Sequence, residues 1–288
     1  MSSRPTSWWL ATLRRRRQRM DGERLDLSRP PAFASPEERR AAIAFFNAAY
    51  RAEESGLRQA HELAGEVQAR DPDLAECLRL YGDEEGWHRS LLTEFLGWLG
   101  GDVRPMGPTT RTFYRLYGRA ERMESIVLVN LMFETIGSTT YRLALRRAKQ
   151  PAVRQMLTIL TRDESFHVPL NVHFLRDAVR RAPEARPRLR ALYHATFLAL
   201  VASTIASRRR AEAFDRIPTR VLARAYATEL SRLFLEEDDL GLAPSGLLLR
   251  AFGLDPTDLR RAPSSVSIEA AEASAERQNA VLEYGPPG

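Results

Sequence analysis

The chain of 288 residues contains one cysteine, Cys77. A lone thiol excludes an internal disulfide framework, a paired-cysteine zinc site and a rubredoxin-type iron centre. A reducing, cytoplasmic setting is the expectation that follows. Long hydrophobic runs are missing as well. None approaches the roughly 20 apolar residues a membrane span needs. In the opening stretch, MSSRPTSWWLATLRRRRQRM, all the charges but Arg4 come after the apolar residues. A secretory leader has the reverse order, so none is read here. Lysine is scarce, and arginine carries almost all of the basic charge behind the net +6. These arginines are spread along every predicted helix, and no RNA- or DNA-binding motif accompanies them. Nucleic acid is therefore not an expected partner. Histidine is scarce too, at five residues. Finally, nothing reads as a series of strands.

What remains is helical periodicity, and the expected class is all-α. Residues 1–34 read as an N-terminal arm punctuated by Pro30 and Pro31. Trp8, Trp9 and Leu10, ahead of Arg14, Arg15, Arg16 and Arg17, fit an interfacial anchor or an arm packed on the body. So short an apolar patch adds little membrane affinity, which favours packing. Ser35-Pro36-Glu37-Glu38 is a helix start, with a capping serine, proline at the first position and acids in the first turn. That helix runs to about 69. A second opens at Asp71-Pro72 and ends at Gly100-Gly101. Residues 101–110, with Pro105, Gly107 and Pro108, form a long crossover to a third helix over about 111–149. Pro151 starts a fourth, which ends near Ala182-Pro183. Four long helices with an extended crossover predict a four-helix bundle over 35–181. A helical extension follows over 182–261, with helices at about 187–213, 217–236 and 243–253. Residues 262–288 read as a disordered tail.

The apolar seams carry an unusual pattern. On the first long helix the seam is Ile43, Phe46, Tyr50, Leu57, Ala60, Ala64 and Val67, spaced by threes and fours around Glu53. Glu54 lies one residue off the seam and should face outward. The second seam, Leu74, Leu78, Tyr81, Leu92, Phe95 and Leu99, has Glu85 and His88 at its middle. The third, Val127, Leu131, Tyr141 and Leu145, centres on Glu134. The fourth, Leu157, Leu160, Leu170 and Phe174, centres on Glu164 and His167. A carboxylate on an apolar stripe costs several kcal/mol unless something pairs with it. The two halves also echo one another. Gly56 follows Glu53 by three residues, and Gly137 follows Glu134 by three. A further acid precedes each Glu-x-x-His: Glu84 before Glu85, and Asp163 before Glu164. His61, His173 and His194 lack this context and read as surface or core-edge residues.

Four converging carboxylates and two imidazoles are untenable in an empty core, and two divalent cations would balance them. Oxygen-rich ligation with one histidine per metal suits iron or manganese better than zinc. This six-residue set, Glu53, Glu85-Gly-Trp-His88, Glu134 and Glu164-Ser-Phe-His167, resembles the ferritin-like di-iron carboxylate superfamily.

The resemblance covers about 35–181. It implies Glu85 and Glu164 as bridging ligands, Glu53 and Glu134 as terminal ones, and His88 and His167 on one metal each. The cofactor it implies is two iron ions, or a manganese–iron pair, with O₂ as co-substrate. Glu84 and Asp163 are similar to acids that orient such imidazoles from behind; a solvent-facing helix acid is the other reading of Glu84. Ser138 and Thr161 are candidate catalytic residues, as proton donors or water anchors, or else small residues that allow close packing. Iron-storage ferritins are shorter, and arylamine N-oxygenases carry a third histidine where this chain has Leu160. The expected function is O₂-dependent oxidation of a small organic molecule, with an external electron donor where the substrate does not supply electrons. Handling of Fe(II) itself and a non-catalytic helical metal protein are the alternatives. The extension would close a substrate pocket or form a homodimer interface.

Overall fold

The computed structural model describes residues 4–106, 122–207 and 212–261. Among them there is no strand, and ten α-helices account for the fold. They are α1 (Thr6–Gly22), α2 (Pro36–Val67), α3 (Pro72–Trp98), α4 (Met123–Leu145), α5 (Pro151–Arg181), α6 (Arg186–Ser207), α7 (Glu212–Asp215), α8 (Thr219–Glu236), α9 (Gly246–Ala251) and α10 (Pro256–Arg261). The all-α class is as expected. Residues 107–110 of the predicted crossover and the start of the third predicted helix lie outside the described residues, as does the predicted tail. The chain divides into two compact units. One contains α1, α2, α3 and Gln150–Met156; the other contains α4, the rest of α5 from Leu157 and the helices after it.

In the first unit α2 and α3 form a helical hairpin whose ends follow from local chemistry. Ser35 Oγ accepts from the Glu38 amide at 3.1 Å, and Glu38 reaches back to the Ala34 amide at 2.7 Å. Both satisfy orphan donors of the first turn. Asp71 caps α3 in the same way through Leu74, at 3.1 Å. Gly100 terminates α3 with φ +70°, a left-handed conformation that glycine adopts at little cost. The Arg39 guanidinium occupies the space a side chain at Gly100 would fill, and its Nε donates to the Leu99 carbonyl at 2.7 Å.

The arm is itself helical. α1 lies against α3 and buries Trp9, Leu10, Leu13 and Met20. Its arginines meet acids of α3: Arg14 with Glu76 at 2.8 Å, Arg17 with Asp83 at 3.0 Å, and Arg16 with Glu84. From Asp26 onward the chain is tied down through Gln155 and Gln150, whose side chains bond the backbone at Asp26 and Ala32.

In the second unit the core is built from Leu128, Leu131, Met132, Leu160, Leu170, Phe174, Tyr193, Phe197, Leu230 and Phe234, all buried. The Tyr193 and Phe234 rings meet edge-on at 4.8 Å. α4 carries hydroxyls on buried and half-buried positions. Thr135, Thr139 and Thr140 each bond the carbonyl four residues back, at 2.7–2.8 Å, which satisfies them within the helix. Pro169 sits inside α5, two residues after His167, and removes the amide that would bond the Ser165 carbonyl. The extension is held by Arg176, which bonds Asp239 at 2.6 Å and also Glu237. That bond holds the Asp239 carboxyl below its usual range, whereas burial pushes Glu237 up.

Candidate metal centre

The first unit brings Glu53, Glu85 and His88 together. Glu53 lies on α2, one turn before Gly56; Glu85 and His88 share a face of α3 because they are three residues apart. They are 1, 2 and 0 % exposed. Ligand atoms of the three lie within 4.8 Å of one another. The His88 Nδ1 is 3.2 Å from Glu53 Oε2. Gly56 makes this closeness achievable: a Cβ there would stand 3.1 Å from the Glu85 carboxyl carbon. Two carboxylates so near one another repel by about 3 kcal/mol at an effective dielectric near 20. Glu54 is half-buried and pairs with Arg51 at 2.5 Å, away from this group.

The second unit repeats the chemistry. Glu134 on α4 and Glu164 and His167 on α5 are 8, 4 and 0 % exposed. The His167 Nδ1 is 3.6 Å from Glu134 Oε2 and 3.8 Å from Glu164 Oε2. In both clusters, then, the imidazole turns Nδ1 to a carboxylate of the other helix. Gly137 faces Glu164 more loosely than Gly56 faces Glu85: a Cβ at Gly137 would stand 3.8 Å from Glu164 Oε2.

The acids preceding the two Glu-x-x-His pairs are buried, Glu84 at 1 % and Asp163 at 0 %. The solvent-facing reading of Glu84 is thereby corrected: each acid is held by an arginine fork. Arg162 donates to both Asp163 oxygens at 2.8 Å. Arg16 reaches Glu84 from α1, with Nε 3.1 Å from Oε2 and a second nitrogen on Oε1. Sequence reasoning passed over both arginines. Arg16 carried a usable signal: Trp9, Leu13, Arg16 and Met20 are spaced four, three and four, so Arg16 stands on the buried stripe of α1.

Chain comparisons add no relative: no family model, curated protein or solved structure matches the chain.

Around the second cluster lies a small group of hydroxyls. Ser138, fully buried, shares a hydrogen bond of 3.2 Å with Ser165, and Ser165 donates to the Thr161 carbonyl at 2.6 Å. Thr161 is half-buried, and its own hydroxyl oxygen has no hydrogen-bond partner among the described residues. The remaining histidines lie elsewhere. His61 pairs with Asp83 at 3.2 Å, and His194 bonds the Arg190 carbonyl at 2.7 Å and the Ser245 amide at 3.1 Å. His173 is 5 % exposed, deeper than the core-edge position expected for it. Phe166 is buried beside the second cluster in sequence, while Trp87, Phe133 and Ile136 are half-buried.

The donor set fits hard divalent metals. Carboxylate oxygens and imidazole nitrogens are the ligands that iron and manganese share, and no thiolate competes. Cys77, the one thiol, is buried and its pKa is pushed up to about 12, chiefly by desolvation, so it is not a reactive group.

Proposed function

We propose that each of the two clusters holds a divalent metal ion, iron as the best match, and that the protein uses these ions with O₂ to oxidise a small organic molecule. The observation that carries this reading is duplication. Two buried sets of two carboxylates and one imidazole, each with Nδ1 turned to an acid, occur at matching places in two helix pairs. A structural metal needs one such set. Two sets with eight oxygen atoms between them match the oxygen-rich pairs that handle O₂.

In this reading Glu53, Glu85 and His88 would hold one metal, and Glu134, Glu164 and His167 would hold the other. A mixed manganese–iron pair uses the same ligands. When bound, a reduced pair supplies two electrons to O₂. Complete reduction of O₂ takes four, so the other two come from an external donor or from the substrate. The protein's own residues do the rest. The arginine-held acids fix ligand orientation. The apolar core excludes water from the carboxylates, and Ser138, Ser165 and Thr161 provide hydroxyls that can hold a proton or a water beside Glu164. Phe133 and Phe166 would suit an apolar or aromatic substrate, while Ile136 packs against Ile217, Leu222 and Tyr226. A lone buried thiol accords with a reducing cytoplasm.

Oxygen uptake tests the reading. Protein loaded with Fe(II) under anaerobic conditions should, on mixing with air, take up O₂ in proportion to added organic substrate and reductant. Turnover of many Fe(II) per chain without any organic substrate would assign it to iron handling instead. A bound metal inert to both reductant and O₂ would make it structural.

A further inference from the structure

We propose that α1 is a working part of the metal centre and that Arg16 is its positioning residue. This rests on the di-metal reading above. Arg16 is 1 % exposed, one of the largest fully buried side chains in the protein. Its guanidinium grips both oxygens of Glu84, and Arg19 adds a third contact to that carboxylate at 3.6 Å. Glu84 is the residue before Glu85, and one of its oxygens lies within 4.8 Å of a His88 ring nitrogen. His88 Nδ1 itself is turned to Glu53 on the neighbouring helix.

Stability alone gives little reason for such a pair. Replacing a buried ion pair by apolar side chains of similar volume is often neutral or stabilising. Arg16 could have been another leucine on the stripe with Trp9, Leu13 and Met20. A planar fork in that position does something leucine cannot: it fixes the direction of a carboxylate next to a metal ligand.

The two units differ in where that fork comes from. Arg162 is the immediate neighbour of Asp163, so α5 carries its own clamp. The Glu84 clamp arrives from a separate helix, 68 positions away in sequence. The geometry of the Glu53–Glu85–His88 cluster therefore depends on the docking of α1, and that of the Glu134–Glu164–His167 cluster does not. An N-terminal helix that undocks would loosen one metal and spare the other. This makes α1 a place where a partner or modification can govern metal loading.

Anaerobic titration of the full chain with Co(II), read by visible absorption and by equilibrium metal analysis, tests this. Arg16→Met and the charge-neutral double variant Arg16→Met/Glu84→Gln are expected to weaken one of two metal ions by about 10- to 100-fold. The other ion and its spectrum should be unchanged. Arg16→Lys, which keeps the charge but loses the fork, should fall between. Arg17→Ala removes the exposed pair with Asp83 and should bind both ions normally. Wild-type affinity for both ions in the double variant or in Arg16→Lys overturns the proposal, even if melting temperature drops. Should Arg16→Met fail to fold, those two variants decide the matter. A wild-type chain that binds fewer than two ions would instead contradict the di-metal reading itself.

Discussion

The Nδ1 atom of His88 lies 3.2 Å from Oε2 of Glu53, across the interface of α2 and α3, with both side chains buried. An imidazole and a carboxylate held this way share a direction, and a metal ion would sit in it. Without a metal, the same arrangement concentrates negative charge, because Glu85 belongs to the group as well.

That tension predicts a trade between stability and binding. Glu85→Gln removes one of two crowded carboxylates. In the presence of chelator it should stabilise the protein by about 1–3 kcal/mol, since relief of buried like-charge repulsion exceeds the loss of an acceptor. The same variant should bind at least one metal much more weakly. Thermal unfolding with and without metal measures both, and a variant destabilised in chelator would speak against the crowding argument.

Two glycines at matching positions should answer differently to alanine. Either substitution in a helix interior adds about 0.5–1 kcal/mol of backbone stability. At Gly137 the new methyl meets Tyr141 at 3.6 Å and Glu164 at 3.8 Å, ordinary contact distances. Gly137→Ala should raise the melting temperature and leave metal binding alone. At Gly56 the methyl meets Glu85 at 3.1 Å, and the ligand must move by a few tenths of an ångström. Gly56→Ala should lower metal affinity. Equal affinities in the two variants would show that Glu85 is not held to its place.

Glu54 provides a control on α2. Its carboxylate is committed to Arg51 at 2.5 Å and is half-buried, so Glu54→Ala should change metal content little. A surface pair of this kind stabilises by about 0–1 kcal/mol. Loss of metal equal to that of Glu53→Ala would move the α2 ligand to Glu54.

Cys77 gives a pH prediction. Its pKa rises from 9.0 to about 12, mainly through burial and then through Asp73 and Glu76. The folded chain thus keeps a thiol proton that the unfolded chain releases. The associated stability is fully present below pH 9 and is lost progressively as pH rises toward 12. Alkylation at pH 8 should be slow in the folded protein and fast in denaturant. Rapid modification of folded protein would contradict the burial of α3 against α1.

Much of this was legible in the sequence because it rests on periodicity and caps. Ser35, Asp71 and Gly100 mark helix ends by chemistry that acts within one turn, and the structure places α2 and α3 between them. Glu53, Glu85, His88, Glu134, Glu164 and His167 stood out because each interrupts an apolar stripe. α1 was harder to read. Its stripe is short, its arginines mask the apolar residues, and Pro30 and Pro31 draw attention to irregular chain. Arg16 and Glu84 lie far apart in sequence, and no local rule joins them. The Asp163 clamp was nearer to hand, since Arg162 is adjacent, yet adjacent helix residues ordinarily face different directions and only coordinates show the fork closing.

Metal analysis of protein purified and loaded under anaerobic conditions tests the central claim most directly. The account predicts two iron ions per wild-type chain, with at least one lost in Glu85→Ala and in His167→Ala. One ion or none in the wild-type chain, or two ions retained in both variants, would contradict it.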